Sequence, residues 1–200
     1  MQILISSLMG YLIGSIPFAL VIGKVFYNTD IREHGSGNLG GTNAGRTLGA
    51  KAGIAVSILD VLKATIAMII TSLFAKEAVI YAGFFATFGH CFPIFANFKG
   101  GKAVSTAFGF LLGINLFITH QPVVQFILPL VIFFVLLFFT KMVSLSAMLS
   151  LVSASIFLFT TQSNYTISVA FSIITIIVIW RHRENIERIK NGTENKIKWM

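Results

Sequence analysis

Seven long apolar runs are the feature that most constrains how this 200-residue chain can fold. They cover residues 2–25, 52–75, 78–96, 103–119, 122–140, 143–161 and 164–180. A helix needs about 20 predominantly apolar residues to cross the hydrocarbon core of a bilayer, within a range of roughly 17–25. We therefore expect an all-α, polytopic membrane protein with seven transmembrane helices, folded as a single integral membrane domain over residues 1–200. Six or eight spans result if residues 103–140 are divided differently.

The basic residues predict how these spans are oriented. Seven spans place the two termini on opposite sides of the membrane, and lysine and arginine concentrate on the cytoplasmic side. With the N-terminus outside, 13 of the 15 basic residues become cytoplasmic. These are Lys24, Arg32, Arg46, Lys51, Lys99, Lys102, Lys141, Arg181, Arg183, Arg188, Lys190, Lys196 and Lys198. We therefore expect the N-terminus outside and the C-terminus in the cytoplasm.

Composition excludes several other classes of protein. Only 11% of the residues are charged, against about 25% in soluble domains. The net charge of +8 follows the predicted topology, so nucleic acid is not expected as a partner. A single cysteine, Cys91, excludes an intrachain disulfide and a cysteine-based metal cluster. The first apolar run lacks a basic segment before it and is expected to be a retained span rather than a cleaved signal.

The first glycine-rich segment, residues 34–49, reads "HGSGNLGGTNAGRTLG". Gly35, Gly37 and Gly40 have the G-x-G-x-x-G spacing of a dinucleotide-binding loop. That motif requires a preceding strand in a soluble βαβ unit, whereas here a membrane span precedes it. A second glycine-rich segment, residues 97–103, reads "NFKGGKA" and lacks both the first glycine and the final Ser or Thr of a Walker motif. Neither nucleotide-binding interpretation holds.

The physical logic of anion-binding loops still applies to both segments. Glycines allow backbone N–H groups to turn towards an anion, and a helix N-terminus following the loop favours phosphate. Each segment also supplies a cation, Arg46 or Lys102, of the kind that binds phosphate. Asn38 and Asn43 are further polar candidates in the first segment. The alternative for either segment alone is a tight turn whose cation only marks the cytoplasmic side.

Polar residues elsewhere add candidates. His182 and Asn185 lie at an i, i+3 spacing just after the last span, which places them on one helix face. Within the second span, Asp60 and Lys63 are either functional intramembrane ions or a structural ion pair. Ser15, followed by Pro17, marks a helix distortion and either bonds its own backbone or faces a cavity. His90 ends the third span and is either a core histidine or part of a site.

The candidate groups suggest a membrane enzyme that acts on phosphate-bearing substrates at the cytoplasmic face. No carboxylates have metal-ligand spacing, so we expect no metal and no cofactor. The acyltransferase signature His-x-x-x-x-Asp is also absent. The residues five positions after the four histidines are Leu39, Phe95, Gln125 and Glu187. A small transporter or flippase for an organophosphate is the alternative, but its polar groups would be spread across the membrane rather than gathered on one face.

Five motifs, in order, resemble those of the bacterial acyl-phosphate:glycerol-3-phosphate acyltransferases. They are "GSIPF", "HGSGNLGGTNAGRTLG", "LDVLKA", "GHCFPIFANFKGGKAVST" and "HRENIERIKNGTE". The resemblance extends over residues 14–194. It implies transfer of a fatty acyl group from acyl phosphate to the 1-hydroxyl of sn-glycerol 3-phosphate, giving lysophosphatidic acid and phosphate in phospholipid synthesis. It also implies a bacterial cell membrane location, contact with membrane lipid, and an acyl-phosphate-producing enzyme as a partner.

The resemblance also assigns site residues. Those that match its catalytic positions are Ser36, Arg46, Lys102, His182 and Asn185. Asn38, Asn43, His90, Gly100, Gly101 and Ser144 match its substrate-binding positions, and Glu194 matches a structural one. From the residues themselves, we expect Gly35, Gly37, Gly40 and Ser15 to take part in substrate binding, and Asp60 and Lys63 to form a structural pair. The one local departure is Ala103, where many members of this family have glycine.

The chemistry implied by the resemblance agrees with these groups. Acyl phosphate is a mixed anhydride with a good leaving group, so a covalent nucleophile is not required. The reaction needs neutralisation of two phosphates, orientation of the reactants, and stabilisation of a carbonyl oxyanion. Ser36 and Asn185 are expected hydrogen-bond donors. Either His182 or the phosphate of the acyl donor takes the hydroxyl proton, and the sequence does not separate these two.

Overall fold

In the computed structural model the described residues are 1–197, and they form helices and turns with no strand among them. Lys198, counted above with the cytoplasmic basic residues, lies outside the described part of the chain. The longer helices are α1 (Gln2–Gly14), α2 (Phe18–Tyr27), α3 (Gly41–Leu48), α4 (Ala50–Ser72), α5 (Val79–Cys91), α6 (Val104–Ile114), α7 (Leu128–Thr140), α8 (Val143–Thr161), α9 (Tyr165–Arg181) and α10 (Arg183–Lys190). Short 3₁₀ turns occupy Ile31–Glu33, Lys76–Ala78 and Ile94–Ala96, and π-helical turns occupy Asn115–Thr119 and Val123–Ile127. The predicted all-α class is confirmed.

Within residues 1–197, five helical segments are long and apolar enough to span a membrane. They are Gln2–Tyr27, Ala50–Ser72, Lys76–Ala96, Val123–Thr140 and Val143–Thr161. A sixth is added if α9 and α10, which meet at a 58° bend, count as one. The apolar helix Val104–Thr119 is shorter than these. At 1.5 Å per residue it falls short of a hydrocarbon core of about 30 Å. Seven spans, and the orientation of the termini, stay predictions.

The chain divides into two compact units, the first covering Met1–Phe117 and the second beginning at Ile118. They are described separately below.

In the first unit, the first span is broken at the "GSIPF" motif. Helix α1 ends at Gly14 and α2 begins at Phe18, because Pro17 has no N–H to continue the helical ladder. The predicted distortion is present. Gly10 and Gly14 let α1 pack closely on α5, where a Cβ at either position would meet the backbone of Ala82 or Ala86. This is small-residue packing of the kind found between membrane helices.

Helix α4 has an exposed apolar face and a buried face that combines small apolar residues with a few polar ones. Its exposed side chains follow one stripe, namely Ile54, Ile58, Leu62, Ile66 and Ile69. Spacings of three or four residues place them on one face. An exposed apolar face of this length is suited to lipid contact. The opposite face is buried and carries Asp60 and Lys63.

One apolar cluster holds both glycine-rich segments of the first unit. It consists of Ala19, Leu20, Ile31, Leu39, Ala44, Val56 and Ala96. Leu39 and Ala44 come from the first segment, whereas Ala96 immediately precedes the second. The two segments are therefore anchored in the same core, although Ala44 and Ala96 are 52 positions apart in the sequence.

In the second unit, α8 and α9 are joined by hydroxyl groups as well as apolar packing. The hydroxyls of Ser155 and Thr175 lie 3.0 Å apart. At one end, Gln125 is fully buried and donates to the hydroxyl of Thr161 at 2.9 Å. At the other end, α9 finishes at Arg181 and α10 begins at Arg183, with His182 capping both.

Candidate active site

The first glycine-rich segment is organised by one buried side chain, Asn43. Its Oδ1 accepts a hydrogen bond from the Ser36 backbone N–H at 2.9 Å. Its Nδ2 donates to the carbonyl of His34 at 3.1 Å and to the carbonyl of Ile31 at 3.3 Å. Asn43 was expected to bind substrate, but the structure places its amide on the backbone of its own loop. It therefore closes the loop on α3.

The glycines of this loop make a tight turn. Gly35 and Gly37 have φ values of 60° and 65°, a conformation that glycine adopts without a Cβ penalty. A Cβ at Gly35 would also collide with Oδ1 of Asn43. The Gly37 N–H donates to the His34 carbonyl at 3.0 Å. The N–H groups of both Ser36 and Gly37 are therefore bonded to neighbouring residues in this structure.

The side chains of Ser36 and Arg46 are exposed. Neither hydroxyl nor guanidinium makes a hydrogen bond or ion pair with any other residue in the described range, 1–197. Asn38 is half-buried, and its Oδ1 lies beside Gly40, where a Cβ would approach it to 3.2 Å. The loop thus holds itself together through its backbone and presents a hydroxyl and a cation outward.

An ion cluster that the sequence analysis did not anticipate precedes this loop. Arg32 donates to the Asp30 carboxylate through Nε at 2.9 Å and Nη2 at 2.6 Å. The Lys24 amine lies 3.3 Å from Oδ2 of Asp30. These contacts, led by the Arg32 hydrogen bond, hold the pKa of Asp30 well below its usual range. The sequence carried a signal for the contact in the i, i+2 placement of an acid and an arginine at a turn.

The second glycine-rich segment is held by His90 and Cys91. The Gly101 N–H donates to the His90 carbonyl at 3.1 Å, and the Gly100 N–H donates to the Cys91 carbonyl at 3.2 Å. Both glycines are buried. A Cβ at Gly101 would collide with the His90 imidazole. As in the first segment, these N–H groups bond within the fold, so glycine here serves close packing rather than presentation of N–H groups to an anion.

Lys102 follows directly and is half-buried. The next residue, Ala103, has a φ of 60° and caps the N-terminus of α6. An L-residue in this left-handed region is strained. Glycine would adopt this conformation at position 103 without a Cβ penalty. The first turn of α6 has no side-chain cap.

The intramembrane ions form a buried ionic cluster of three residues. The Lys63 amine lies 2.9 Å from Oδ1 of Asp60, and Nδ1 of His90 lies 3.4 Å from the same oxygen. The i, i+3 spacing had indicated the pair, but it could not indicate His90, which comes from another helix. Ser15 is fully buried. Its hydroxyl makes no hydrogen bond with the described residues and packs against Gly89.

In the second unit, His182 is buried at the junction of α9 and α10. Its Nδ1 lies 2.8 Å from the Val178 carbonyl oxygen. Since a carbonyl oxygen can only accept, Nδ1 carries the proton and donates. The neutral imidazole therefore has its lone pair on Nε2.

The side chains of Asn185 and Ser144 both donate hydrogen bonds to the buried carboxylate of Glu194. Oε1 of Glu194 accepts from Ser144 Oγ at 2.7 Å and from Asn185 Nδ2 at 2.6 Å. Its Oε2 accepts from Arg188 Nε at 2.9 Å. We call these four residues the carboxylate cluster. It ties the start of α8 to α10 and to the segment that follows it.

The cluster keeps Glu194 ionised. Burial of this side chain opposes ionisation, but the hydrogen bonds from Ser144, Asn185 and Arg188 outweigh it and lower the pKa of Glu194. A carboxylate that accepts several hydrogen bonds commonly behaves in this way.

The predicted site residues thus fall into three groups. Ser36, Asn43 and the neighbouring glycines share one loop, whereas Asp60, Lys63, His90, Gly100 and Gly101 form a second, contiguous group. Asn185, Ser144 and Glu194 form the third. The sequence analysis missed that Asn43 and Glu194 are the hubs of their groups, because their partners are up to 50 residues away.

Comparison with known proteins identifies the kind of protein that carries this arrangement. The family model described as glycerol-3-phosphate acyltransferase matches residues 4–192. A Bacillus subtilis glycerol-3-phosphate acyltransferase is 48% identical over 201 residues, covering 100% of both chains. A Listeria monocytogenes protein with the same description is 46% identical and covers 100% of this chain and 98% of its own length.

A solved structure has the same fold. The crystal structure of PlsY, an integral membrane glycerol 3-phosphate acyltransferase in its glycerol 3-phosphate form, is 33% identical with a TM-score of 0.90. The match covers 99% of this chain and 96% of that one. A second structure of PlsY, in a lysophosphatidic acid form, matches with a TM-score of 0.87 and 32% identity. This chain belongs to the glycerol-3-phosphate acyltransferase family.

Proposed function

We propose that this enzyme transfers a fatty acyl group from acyl phosphate to the 1-hydroxyl of sn-glycerol 3-phosphate, releasing lysophosphatidic acid and phosphate. The observation that carries the acceptor and product is the likeness to PlsY, whose solved forms hold glycerol 3-phosphate and lysophosphatidic acid. The proposed setting is the cytoplasmic face of the bacterial cell membrane, early in phospholipid synthesis.

The acyl-phosphate donor is supported by the groups that the chain offers. A mixed anhydride has phosphate as its leaving group, so the acyl carbon needs orientation and charge stabilisation rather than a covalent nucleophile. Arg46, exposed on α3 directly after the glycine-rich loop, is suited to bind a phosphate through two oxygens. Lys102 supplies a second cation next to a helix N-terminus without a side-chain cap.

We assign proton transfer to His182 rather than to the phosphate of the donor. The Nδ1–H bond to Val178 leaves the lone pair of the neutral ring on Nε2, which is the state that a general base requires. The hydroxyl of Ser36 is proposed to donate to the substrate. For Asn185, the bond to Glu194 supports positioning through the carboxylate cluster.

Purified protein in detergent, incubated with glycerol 3-phosphate and either acyl phosphate or acyl-CoA, tests the donor. We expect phosphate release and lysophosphatidic acid with acyl phosphate only. Product formed from acyl-CoA but not from acyl phosphate contradicts the proposed donor. Uptake of glycerol 3-phosphate into vesicles without product would instead favour a transporter.

Turnover tests the base. His182→Ala is expected to lower kcat by about 10²–10⁴-fold, the usual contribution of a general base. If kcat stays close to that of the wild type, the phosphate of the acyl donor, rather than His182, accepts the hydroxyl proton.

A further inference from the structure

The buried ionic cluster, Asp60, Lys63 and His90, lies inside the first unit. Their side chains are 2%, 2% and 5% exposed. Ionisable groups within membrane helices are costly to bury and usually mark function. Mutual neutralisation alone would explain the Asp60–Lys63 pair, which is formed within a single helix. It does not explain why both partners make further contacts with other elements.

Lys63 bonds to the break in the first span. Its amine donates to the Ile16 carbonyl at 3.1 Å. The N–H of Leu20, which would accompany that carbonyl in a continuous helix, donates instead to Pro17 at 2.9 Å. The same carbonyl also accepts the Phe18 N–H at 3.2 Å, so Lys63 is a second donor to the backbone at the proline break, and this ties α4 to the first span.

His90 connects the cluster to the second glycine-rich segment in two ways. Its backbone carbonyl accepts the N–H of Gly101, and its ring fills the space where a Cβ of residue 101 would stand. On its other side the ring faces Oδ1 of Asp60, which lies 3.4 Å from Nδ1, at ion-pair distance but without hydrogen-bond geometry. A carboxylate that holds an imidazole in one orientation is a familiar device for fixing the group on its far side.

From these contacts we infer that Asp60 and His90 are positioning residues for substrate binding. Asp60 orients the His90 ring, the ring holds Gly101, and the held turn places Lys102 where it can bind the phosphate of glycerol 3-phosphate. This inference rests on the binding role proposed above for Lys102. Neither Asp60 nor His90 is assigned contact with the substrate.

Two double variants separate positioning from charge burial. Asp60→Leu with Lys63→Met, and Asp60→Asn with Lys63→Met, both remove the buried ion pair and the bond to Ile16. Only the asparagine keeps an oxygen that can accept from Nδ1 of His90. Replacing both members of a buried pair avoids the unpaired charge that a single substitution would leave.

We expect the leucine variant to have a KM for glycerol 3-phosphate at least fivefold above that of the asparagine variant. The KM for the acyl donor and the kcat should differ less than twofold between them. Equal KM values for glycerol 3-phosphate in the two variants would overturn the inference. The KM can be measured with any acyl donor that the wild type accepts, so failure of the acyl-phosphate proposal would not be mistaken for failure of this one.

A second pair keeps the test open if the double variants do not fold. Gly101→Ala forces the His90 ring away from the turn. Gly83→Ala creates a comparable collision with the side chains of Met68 and Phe110, away from the glycine-rich segments. We expect the KM for glycerol 3-phosphate of Gly101→Ala to be at least fivefold higher than that of Gly83→Ala. A KM no higher than that of the control would contradict the positioning role.

Discussion

The first glycine-rich segment and the carboxylate cluster solve the same problem with different chemistry. In each, a stretch of chain that follows or precedes a helix is held by a single buried side chain. Asn43 holds its loop with a neutral amide and three hydrogen bonds. Glu194 holds the C-terminal segment with a carboxylate and three donors. The first arrangement carries no net charge, whereas the second depends on one.

This difference determines how the stability of each region responds to pH and to loss of its central side chain. An amide hub is insensitive to pH, and the bonds it makes are of ordinary strength. A buried carboxylate makes stronger, charge-assisted bonds, but it leaves donors and a guanidinium unsatisfied when it is lost or protonated. We therefore expect the second unit to be the more sensitive of the two to loss of its hub.

The largest effect is expected from Glu194→Ala. It leaves Ser144, Asn185 and Arg188 without their acceptor and should destabilise the second unit by about 3 kcal/mol. Trp180 lies on α9 of this unit, so its fluorescence during thermal unfolding, followed in proteins that also carry Trp199→Phe, reports on this unit. If the thermal unfolding midpoint of Glu194→Ala lies within about 1 °C of that of the wild type, Glu194 is not the residue that holds the second unit together.

Asn43→Ala is expected to have the next largest effect, about 2 kcal/mol for the loss of three hydrogen bonds at a partly solvated loop. Asn43→Asp is the matched variant, since it keeps the acceptor for the Ser36 N–H but loses both donations. Cys91 is buried and is the only cysteine, so its reaction with a thiol-reactive dye on heating reports unfolding of the first unit. If the alanine variant is as stable as the wild type, Asn43 is not the hub of its loop.

Lowering the pH sharpens the contrast. The pKa of Glu194 is lowered from its ordinary value of 4.5, so the folded state binds this proton less readily than the unfolded state does. Its contribution to stability is therefore complete above about pH 5 and is lost as the pH falls through the ordinary value towards the lowered one. Tryptophan-detected unfolding between pH 7 and pH 4 should show this loss in the wild type.

Glu194→Gln is the control for that experiment. It should be less stable than the wild type at pH 7 but should lose less stability on acidification. Asp30, whose pKa is also depressed, chiefly by Arg32, titrates in both proteins and cancels in the comparison. An identical pH slope in the two proteins would show that Glu194 is not responsible.

The smallest expected effect concerns a position without a side-chain hub. Ala103→Gly relieves the left-handed strain at a φ of 60° and should stabilise the first unit by about 0.5 kcal/mol, after the entropy that glycine loses on folding. Ala107→Gly, in the interior of α6, is the matched control and should destabilise by roughly 0.5–1 kcal/mol. Thermal unfolding that gives the same sign for both variants would refute the strain at position 103.

The sequence predicted most of what depends on local pattern. Apolar runs placed the helices, Pro17 marked the break in the first span, and the i, i+3 spacing placed Lys63 beside Asp60. The family motifs were recognised from local residues as well. The sequence could not predict which hydrogen-bond partners the polar side chains have in the folded protein. Asn43 was predicted to bind substrate and Asn185 to be catalytic, but the sequence did not indicate that Asn43 bonds to its own loop or that Asn185 bonds to Glu194.

The same limit applies to the glycines. The spacing at Gly35 and Gly37 indicated a tight turn, which the structure has, but the direction of the N–H groups depends on where Asn43 and His34 lie after folding. For Gly100 and Gly101 it depends on the carbonyls at the end of α5. Because these N–H groups bond within the fold, we expect the side-chain cations of Arg46 and Lys102 to bind the phosphate of the substrate.

Calorimetric titration of glycerol 3-phosphate into the wild type and into Lys102→Ala, without an acyl donor, tests that claim most directly. If side-chain cations bind the phosphate, removing this one should weaken binding by about tenfold or more, since a charge-assisted contact is worth about 1.5–3 kcal/mol. Lys99→Ala, an exposed lysine three residues earlier, is the control and should bind as the wild type does. An unchanged affinity in Lys102→Ala would contradict the claim and return phosphate binding to the backbone of the loops.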